Sequence, residues 1–314
     1  MSNEVLLDSK ALAENEALAY VLESHENIWG SRLRLAGSNA AKTAYQTIRV
    51  ERLSPALGAE ISGVDLTKPL EDKTFQEIHT ALIENQVIFF RDQNLSMDQH
   101  EAFGRRFGTL HSHPAIPGPE GHPKVLILHA DEKAHTAVSA WHADITSDQV
   151  PPMGSILLAK VLPETGGDTM FASMYAAYEA LTDKWQKFLS DLEAEHSVEH
   201  VFGGSKGPNP PSPAVHPVLR THPVSGRTGL YVNSVYTTKI IGMTSKESAA
   251  VLDFLIRHVE RPEFHVRFKW KVNSIAFWDN RCTQHRAMAD YYPQTRTMQR
   301  VAINGEERPF HRPN

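Results

Sequence analysis

The sequence holds a single cysteine, Cys282, among 314 residues. One thiol cannot close an intramolecular disulfide, nor build a cysteine-rich zinc or iron–sulfur site within one chain, and it fits a reducing, intracellular compartment. Long apolar runs are missing too: no stretch approaches the ~18 consecutive apolar residues of a membrane helix. The opening segment MSNEVLLDSKALAENEALAY is acidic and polar, without the basic start and apolar core of a secretory signal. There is no basic excess. The net charge is −5 and the pI about 6.4, which argues against a dedicated nucleic-acid binder. Internal repeats and a regular strand–helix alternation are also absent. What the chain has in abundance is histidine, 17 in all. Histidine is the common transition-metal ligand and the acid–base group of neutral pH, so its placement directs the search for function.

Residues 1–46 read as an N-terminal extension, weakly tied to the core or forming an interface. Leu12, Leu18, Val21 and Leu22 could make one short amphipathic helix, and GSNAAKTA (37–44) reads as a linker. The main domain, 47–314, begins with IRVERL (48–53), which alternates like a half-buried strand. Phe75, Ile78, Leu82 and Ile83 have helical spacing, and VIFFR (87–91) is a short strand-forming run. Ser96 with Gln99, and Thr244 with Glu247, are capping boxes that open two helices. The second of these puts Val251, Phe254, Leu255 and Val259 on one face. Strands are expected at 125–128, 155–161, 218–222, 229–233, 264–270, 274–278 and 296–303. Many strands with a few flanking helices predict a mainly β fold, a double-sheet jelly-roll barrel packed by helices. Residues 203–215, GGSKGPNPPSPAV, are too rich in Gly and Pro for regular structure and read as a long lid-like loop.

A strand points residues i and i+2 to the same side, so His-x-Asp delivers an imidazole and a carboxylate to one place. Completed by a distant His, this is the facial triad of non-haem Fe(II) oxygenases. Three pairs have the spacing: His129/Asp131, His142/Asp144 and His258/Glu260. The last lies at a helix end, where i and i+2 diverge. Spacing leaves the first two open, each against the plain alternative of a solvated loop histidine. His111 and His113 form a further i, i+2 pair, for metal, for substrate or for neither. His285 follows an apolar strand and is a distant candidate; Cys282-x-x-His285 has no second pair to make a zinc site. The last strand puts Arg296, Met298, Arg300 and Ala302 on one face. If that face points inward, the two guanidiniums need anionic partners; an edge strand would leave them solvated.

WHADIT (141–146), GGDT (166–169), WDNRCTQH (278–285) and ADYYPQTRTMQR (289–300) resemble the taurine dioxygenase family of Fe(II)- and 2-oxoglutarate-dependent oxygenases. The resemblance runs from about residue 48 to the C-terminus and includes GAEISGVDL (58–66), VIFFRDQ (87–93) and FGTLHSHP (107–114). It implies a double-stranded β-helix, with His142, Asp144 and His285 as iron ligands in preference to His129/Asp131. It implies Thr169 and Arg296 on the distal carboxylate of 2-oxoglutarate, and His113 and Arg300 on the substrate anion. Phe202 and Ile145 fall in the implied substrate pocket. There the sequence departs from the family pattern, with Ile116 for a Tyr, Val138 for an Asn and Tyr236 for a Phe. Losing the first two polar groups leaves an amine without partners, which favours an alkyl sulfonate or a sulfate ester over taurine. The expected reaction consumes O2 and 2-oxoglutarate, hydroxylates the carbon beside the anion, and releases an aldehyde with sulfite or sulfate.

The same scaffold serves aryloxyalkanoate (carboxylate) dioxygenases, which is the nearest rival. Rivals of other classes are an oxygen-independent metal isomerase or hydrolase on a jelly-roll barrel, and a binding module without activity. The resemblance also implies a homodimer or homotetramer, while the single cysteine, the lack of a long apolar run and the acidic balance lead to the expectation of a cytoplasmic protein with neither membrane nor nucleic acid as partner.

Overall fold

The computed structural model describes residues 43–112, 116–134, 138–198 and 213–313. The helix expected around Leu12–Leu22, most of the 37–44 linker, His113, Phe202 and residues 203–212 of the long loop lie outside the described residues.

The centre of the molecule is a seven-stranded sheet in the order β1-β2-β3-β13-β5-β15-β4. Its strands are β1 (Arg49–Arg52), β2 (Ala59–Ser62), β3 (Val87–Phe90), β4 (Val125–Ala130), β5 (Gly154–Val161), β13 (Ile275–Asp279) and β15 (Arg296–Ile303). Every pairing is antiparallel except β2 with β3. A three-stranded sheet, β12-β6-β14, packs against it: β6 (Thr169–Ser173), β12 (His265–Phe268) and β14 (Thr283–Ala287). Two smaller sheets, β11-β7-β8 and β10-β9, extend one end: β7 (Glu193–His196), β8 (Ala214–Pro217), β9 (Leu219–Thr221), β10 (Thr228–Leu230) and β11 (Thr237–Ile240).

Two-residue alternation explains why the central strands read as continuous apolar runs. Val87, Phe89, Leu157, Ala276, Trp278 and Met298 face the smaller sheet and form the barrel interior. Their neighbours Ile88, Phe90, Ile156, Leu158, Ile275, Phe277, Val301 and Ile303 face the helices α1 (Asp72–Asn85) and α2 (Met97–Arg105), through Ile78, Leu82 and Phe103. Both faces of the sheet are therefore dry. Phe89 stacks on Phe268 at 4.0 Å across the barrel, and burying a ring of that size contributes about 2–3 kcal/mol.

Both expected capping boxes are present, Ser96 with Gln99 opening α2 and Thr244 with Glu247 opening α5 (Ser245–Val259). The buried face of α5 differs from the expected one. Leu252, Leu255, His258 and Val259 are buried, whereas Phe254 is exposed and stacks on Trp185 at 4.3 Å. Trp185 belongs to α4 (Asp183–Leu189), which with α3 (Met174–Glu179), β6 and β14 gave no clear sequence signal. Strand β1 is mostly exposed rather than half-buried, because it is the edge of the sheet. The segment just before it is tied down: Glu77 accepts hydrogen bonds from the backbone N–H groups of Gln46, Thr47 and Ile48, and Glu84 accepts from Thr43 and Tyr45. Among the described residues no helix is long and apolar enough to cross a membrane.

Candidate metal centre

His142 and His285 are distant in sequence but lie opposite one another in an isolated β-bridge. His142 N donates to the His285 carbonyl at 3.1 Å, and His285 N donates to the His142 carbonyl at 2.8 Å. Main-chain pairing alone therefore sets the imidazoles side by side, with ring centroids 4.2 Å apart. Asp144, two residues beyond His142, completes a buried group whose ligand atoms all lie within 4.8 Å of one another. His142 Nδ1 sits 2.8 Å from the Ala140 carbonyl. It must carry the proton in that contact, which leaves the Nε2 lone pair free for a metal. Burial pushes the His142 imidazole pKa down, and burial together with neighbouring His142 pushes His285 down to about 3. Both rings are therefore neutral at physiological pH. Burial alone would raise the Asp144 carboxyl, but Arg300 and the two histidines hold it well below the usual carboxylate range. Two neutral imidazoles and one carboxylate, converging from one side, fit a divalent iron.

The carboxylate is held firmly. Ser155 Oγ donates to Asp144 Oδ2 at 2.8 Å and Arg300 Nη1 donates to Oδ1 at 2.8 Å. Asn280, fully buried, clamps the backbone on both sides: Asp144 N donates to its Oδ1 at 2.6 Å, and its Nδ2 donates to the Asp144 carbonyl at 2.9 Å. The next residue, Ile145, has φ +50°, a region that a β-branched side chain avoids. The turn is secured from below by His216 Nε2, which donates to the Thr146 and Asp148 carbonyls at 3.0 Å each. His196 and Asn233 both reach the Thr146 hydroxyl.

His142 and His285 open onto a cavity of about 110 Å³, also lined by Thr169, Trp278, Arg296 and Arg300. Strand β15 runs between β5 and β4, so the edge-strand alternative for its arginines does not hold; both point into the barrel. Their situations differ. Arg300 is paired with Asp144, whereas Arg296 is 7% exposed, donates Nε to the Gly167 carbonyl at 3.0 Å, and has no partner for Nη2 among the described residues. Burial lowers the Arg296 pKa. A buried cation with an unused donor facing a cavity is a ready receptor for an anion. The fit is close: Gly167 has φ +68°, and a Cβ there would meet Arg296 Cδ at 3.1 Å.

Of the expected substrate residues, Val138 lines the cavity. Burial, with the nearby Asp144 carboxylate, pushes the Tyr236 phenol up to about 12. Ile116 is exposed. His113 and Phe202 are outside the described residues. The rival pairs go elsewhere. His129 is exposed and bonds Thr297 and Asp131, His111 turns to Asn304, and His258 donates to the Ala177 carbonyl at 2.8 Å. Cys282 lies not with His285 but with His222 and Asp279. Sequence reasoning missed Ser155, Asn280 and the Arg300–Asp144 pair. Asn280 stands inside the WDNR segment that carries the family resemblance, and that position is the one sequence signal that could have pointed to it.

A family model described as taurine catabolism dioxygenase TauD, TfdA family matches residues 49–302. The alkylsulfatase of Acinetobacter baylyi is 34% identical over 83% of this chain and 86% of its own length. The alpha-ketoglutarate-dependent sulfate ester dioxygenase of Pseudomonas putida is 35% identical over 86% of this chain and 94% of its own. Among solved structures, a taurine dioxygenase from Burkholderia xenovorans superposes with TM-score 0.75 at 36% identity, covering 83% of this chain and 92% of that one.

Proposed function

Because the chain belongs to the TauD/TfdA family and is a 2-oxoglutarate-dependent dioxygenase that works with Fe(II), we propose that it oxidises a small organosulfur anion, a sulfate ester or an alkyl sulfonate. Hydroxylation beside the anionic group gives a product that collapses to an aldehyde with sulfate or sulfite. The observation that carries this reading is the convergence of the His142–Asp144–His285 group and two inward arginines on one cavity. The whole of 47–314 acts as the catalytic domain, in a cytoplasmic homo-oligomer with neither a membrane nor a nucleic-acid partner.

In this reading His142, Asp144 and His285 hold the iron. When bound, iron and 2-oxoglutarate supply the oxidation: dioxygen is reduced, the oxo acid becomes succinate and carbon dioxide, and one oxygen atom enters a substrate C–H bond. Arg296 and Thr169 bind the distal carboxylate of 2-oxoglutarate and fix its orientation. Arg300 keeps Asp144 ionised and in place with one N–H and offers further N–H groups to the substrate anion, aided by His113. Trp278, Leu128 and Leu157 line the cavity with apolar surface that excludes water. None of its described lining residues is a carboxylate, so a substrate ammonium would be desolvated without compensation. That is why a sulfate ester or simple sulfonate suits the site better than taurine.

The test is succinate release with Fe(II), ascorbate and oxygen across taurine, longer alkyl sulfonates, alkyl sulfates and aryloxypropionates. Stimulation is expected from the alkyl sulfates or sulfonates, with sulfate or sulfite released in step. Stimulation by aryloxypropionates alone, with a phenol as product, would transfer the enzyme to the carboxylate class.

A further inference from the structure

Behind the cavity wall lies a residue that is not among the cavity's described lining residues. Trp270 follows β12, in which Phe268 is the register partner of Thr169 on β6. Two residues further on, the buried indole turns back and Nε1 donates to Thr169 Oγ1 at 3.0 Å. An indole nitrogen can only donate, so the direction of this bond is not in question. The Thr169 hydroxyl accepts from Trp270 and keeps its own proton for another partner. Thr169 is itself 2% exposed and lines the cavity. The buried Arg296 guanidinium lies near the same indole, its Cζ 6.0 Å from that ring centroid and 6.0 Å from that of Tyr291.

We infer that Trp270 is a positioning residue for 2-oxoglutarate: by donating to Thr169 it fills one of the hydroxyl's lone pairs and leaves its proton to turn into the cavity, where a carboxylate on Arg296 would accept it. The inference rests on the reading of Thr169 and Arg296 as the distal carboxylate site. A threonine hydroxyl is otherwise free to act as acceptor or donor. With Trp270 occupying a lone pair, the pocket presents two donors, the hydroxyl proton and Arg296 Nη2, and it selects an ionised carboxylate over a neutral amide. The Arg296 guanidinium is held beside the indole by its Nε bond to the Gly167 carbonyl.

The experiment is calorimetric titration of 2-oxoglutarate into the full chain loaded with Mn(II) in the absence of oxygen, paired with succinate kinetics on the Fe(II) enzyme. Trp270→Phe keeps the apolar bulk and removes the N–H. It is expected to weaken 2-oxoglutarate binding about tenfold, the scale of one charge-assisted hydrogen bond, and to raise KM for 2-oxoglutarate with little change in kcat or in KM for the organic substrate. Thr169→Val should weaken binding as much or more, and the double variant should be no weaker than Thr169→Val, because the indole acts through the hydroxyl. In Thr169→Ser, which retains the hydroxyl, the added Trp270→Phe change should still weaken binding. Additive losses in the Thr169→Val background, or an unchanged affinity in Trp270→Phe, would reduce Trp270 to packing and overturn the inference. Arg296→Leu separates the two levels: if it leaves 2-oxoglutarate affinity intact, the carboxylate site itself is wrongly assigned.

Discussion

Two buried clusters in this chain have nearly the same composition and opposite characters. His142, Asp144 and His285 form one; His222, Asp279 and Cys282 form the other. In the second, Arg281 grips Asp279 through Nε at 2.8 Å and Nη2 at 2.6 Å, and His222 Nε2 donates to the same carboxylate at 3.0 Å. His222 Nδ1 is used as well, accepting from the backbone N–H groups of Val224 and Ser225. Burial drives the Cys282 thiol pKa well above its ordinary value, so no thiolate is on offer. In the first cluster His142 Nε2 is left over after its ring has been fixed, and Asp144 takes single contacts from Ser155 and Arg300. Proximity of ligand types is common to both. What separates a metal site from a structural ion pair is whether lone pairs remain after the protein has made its own bonds.

The sharpest way to break the comparison is to remove each carboxylate. Asp144→Ala should abolish substrate oxidation, a loss of about a thousandfold or more in kcat/KM; the Arg300 guanidinium it releases faces the cavity, where water can reach it, so the melting temperature should fall less than when Asp279 is removed. Asp279→Ala should do the reverse. It strands the buried Arg281 charge and should cost about 3–5 kcal/mol of stability in urea unfolding, with activity per folded molecule retained. If the two variants behaved alike, the distinction between the clusters would be lost. A smaller effect is expected at Asn280, which fixes Asp144 only through the backbone. Asn280→Ala should weaken iron binding about 10–100-fold, the usual range for groups that orient a ligand, as measured by competition with a chelator.

Acid acts on both clusters' surroundings alike and so separates them least. His100 is pushed down to about 4 by burial, His216 to about 4 and His196 to about 3, burial being the main cause in each. Their folded pKa values lie below the unfolded value near 6.5, so the unfolded chain takes up protons first and stability falls as pH drops below about 6.5. Each of these groups should remove about 1.4 kcal/mol per pH unit until its folded pKa is reached. Urea midpoints measured from pH 7 to pH 4.5 would reveal the slope, and a flat profile would mean that these rings are not buried as neutral groups.

Much of this was legible in the sequence, and the reasons are physical. Spacing offered His142/Asp144 as one of two open pairs, because an extended segment repeats every two residues, and the family resemblance chose it over His129/Asp131. The inward arginines of β15 could be read from the same periodicity. His285 could be assigned only through family resemblance, since the bridge that sets it beside His142 is a main-chain pairing with no side-chain signature. Strands β6 and β14, TMFAS and TQHRA, escaped notice because polar residues serving the cavity interrupt their apolar alternation. Phe254 was placed on the core face of α5 from hydrophobicity alone. Its actual partner, Trp185, belongs to a helix that the sequence did not announce. The bonds that tune the site, Arg300 to Asp144 and Trp270 to Thr169, join residues far apart in the chain, and no local pattern encodes them.

The β-bridge between His142 and His285 also bears on when the enzyme acquires its metal. His142 and Asp144 are neighbours in sequence, but the third ligand lies on β14 and takes its place only when the bridge forms and the barrel closes. Long-range pairings of this kind form late. An unfinished or misassembled chain therefore offers iron two loosely held ligands instead of three fixed ones. The complete ligand group is thus a property of the closed barrel and not of any one segment of the chain.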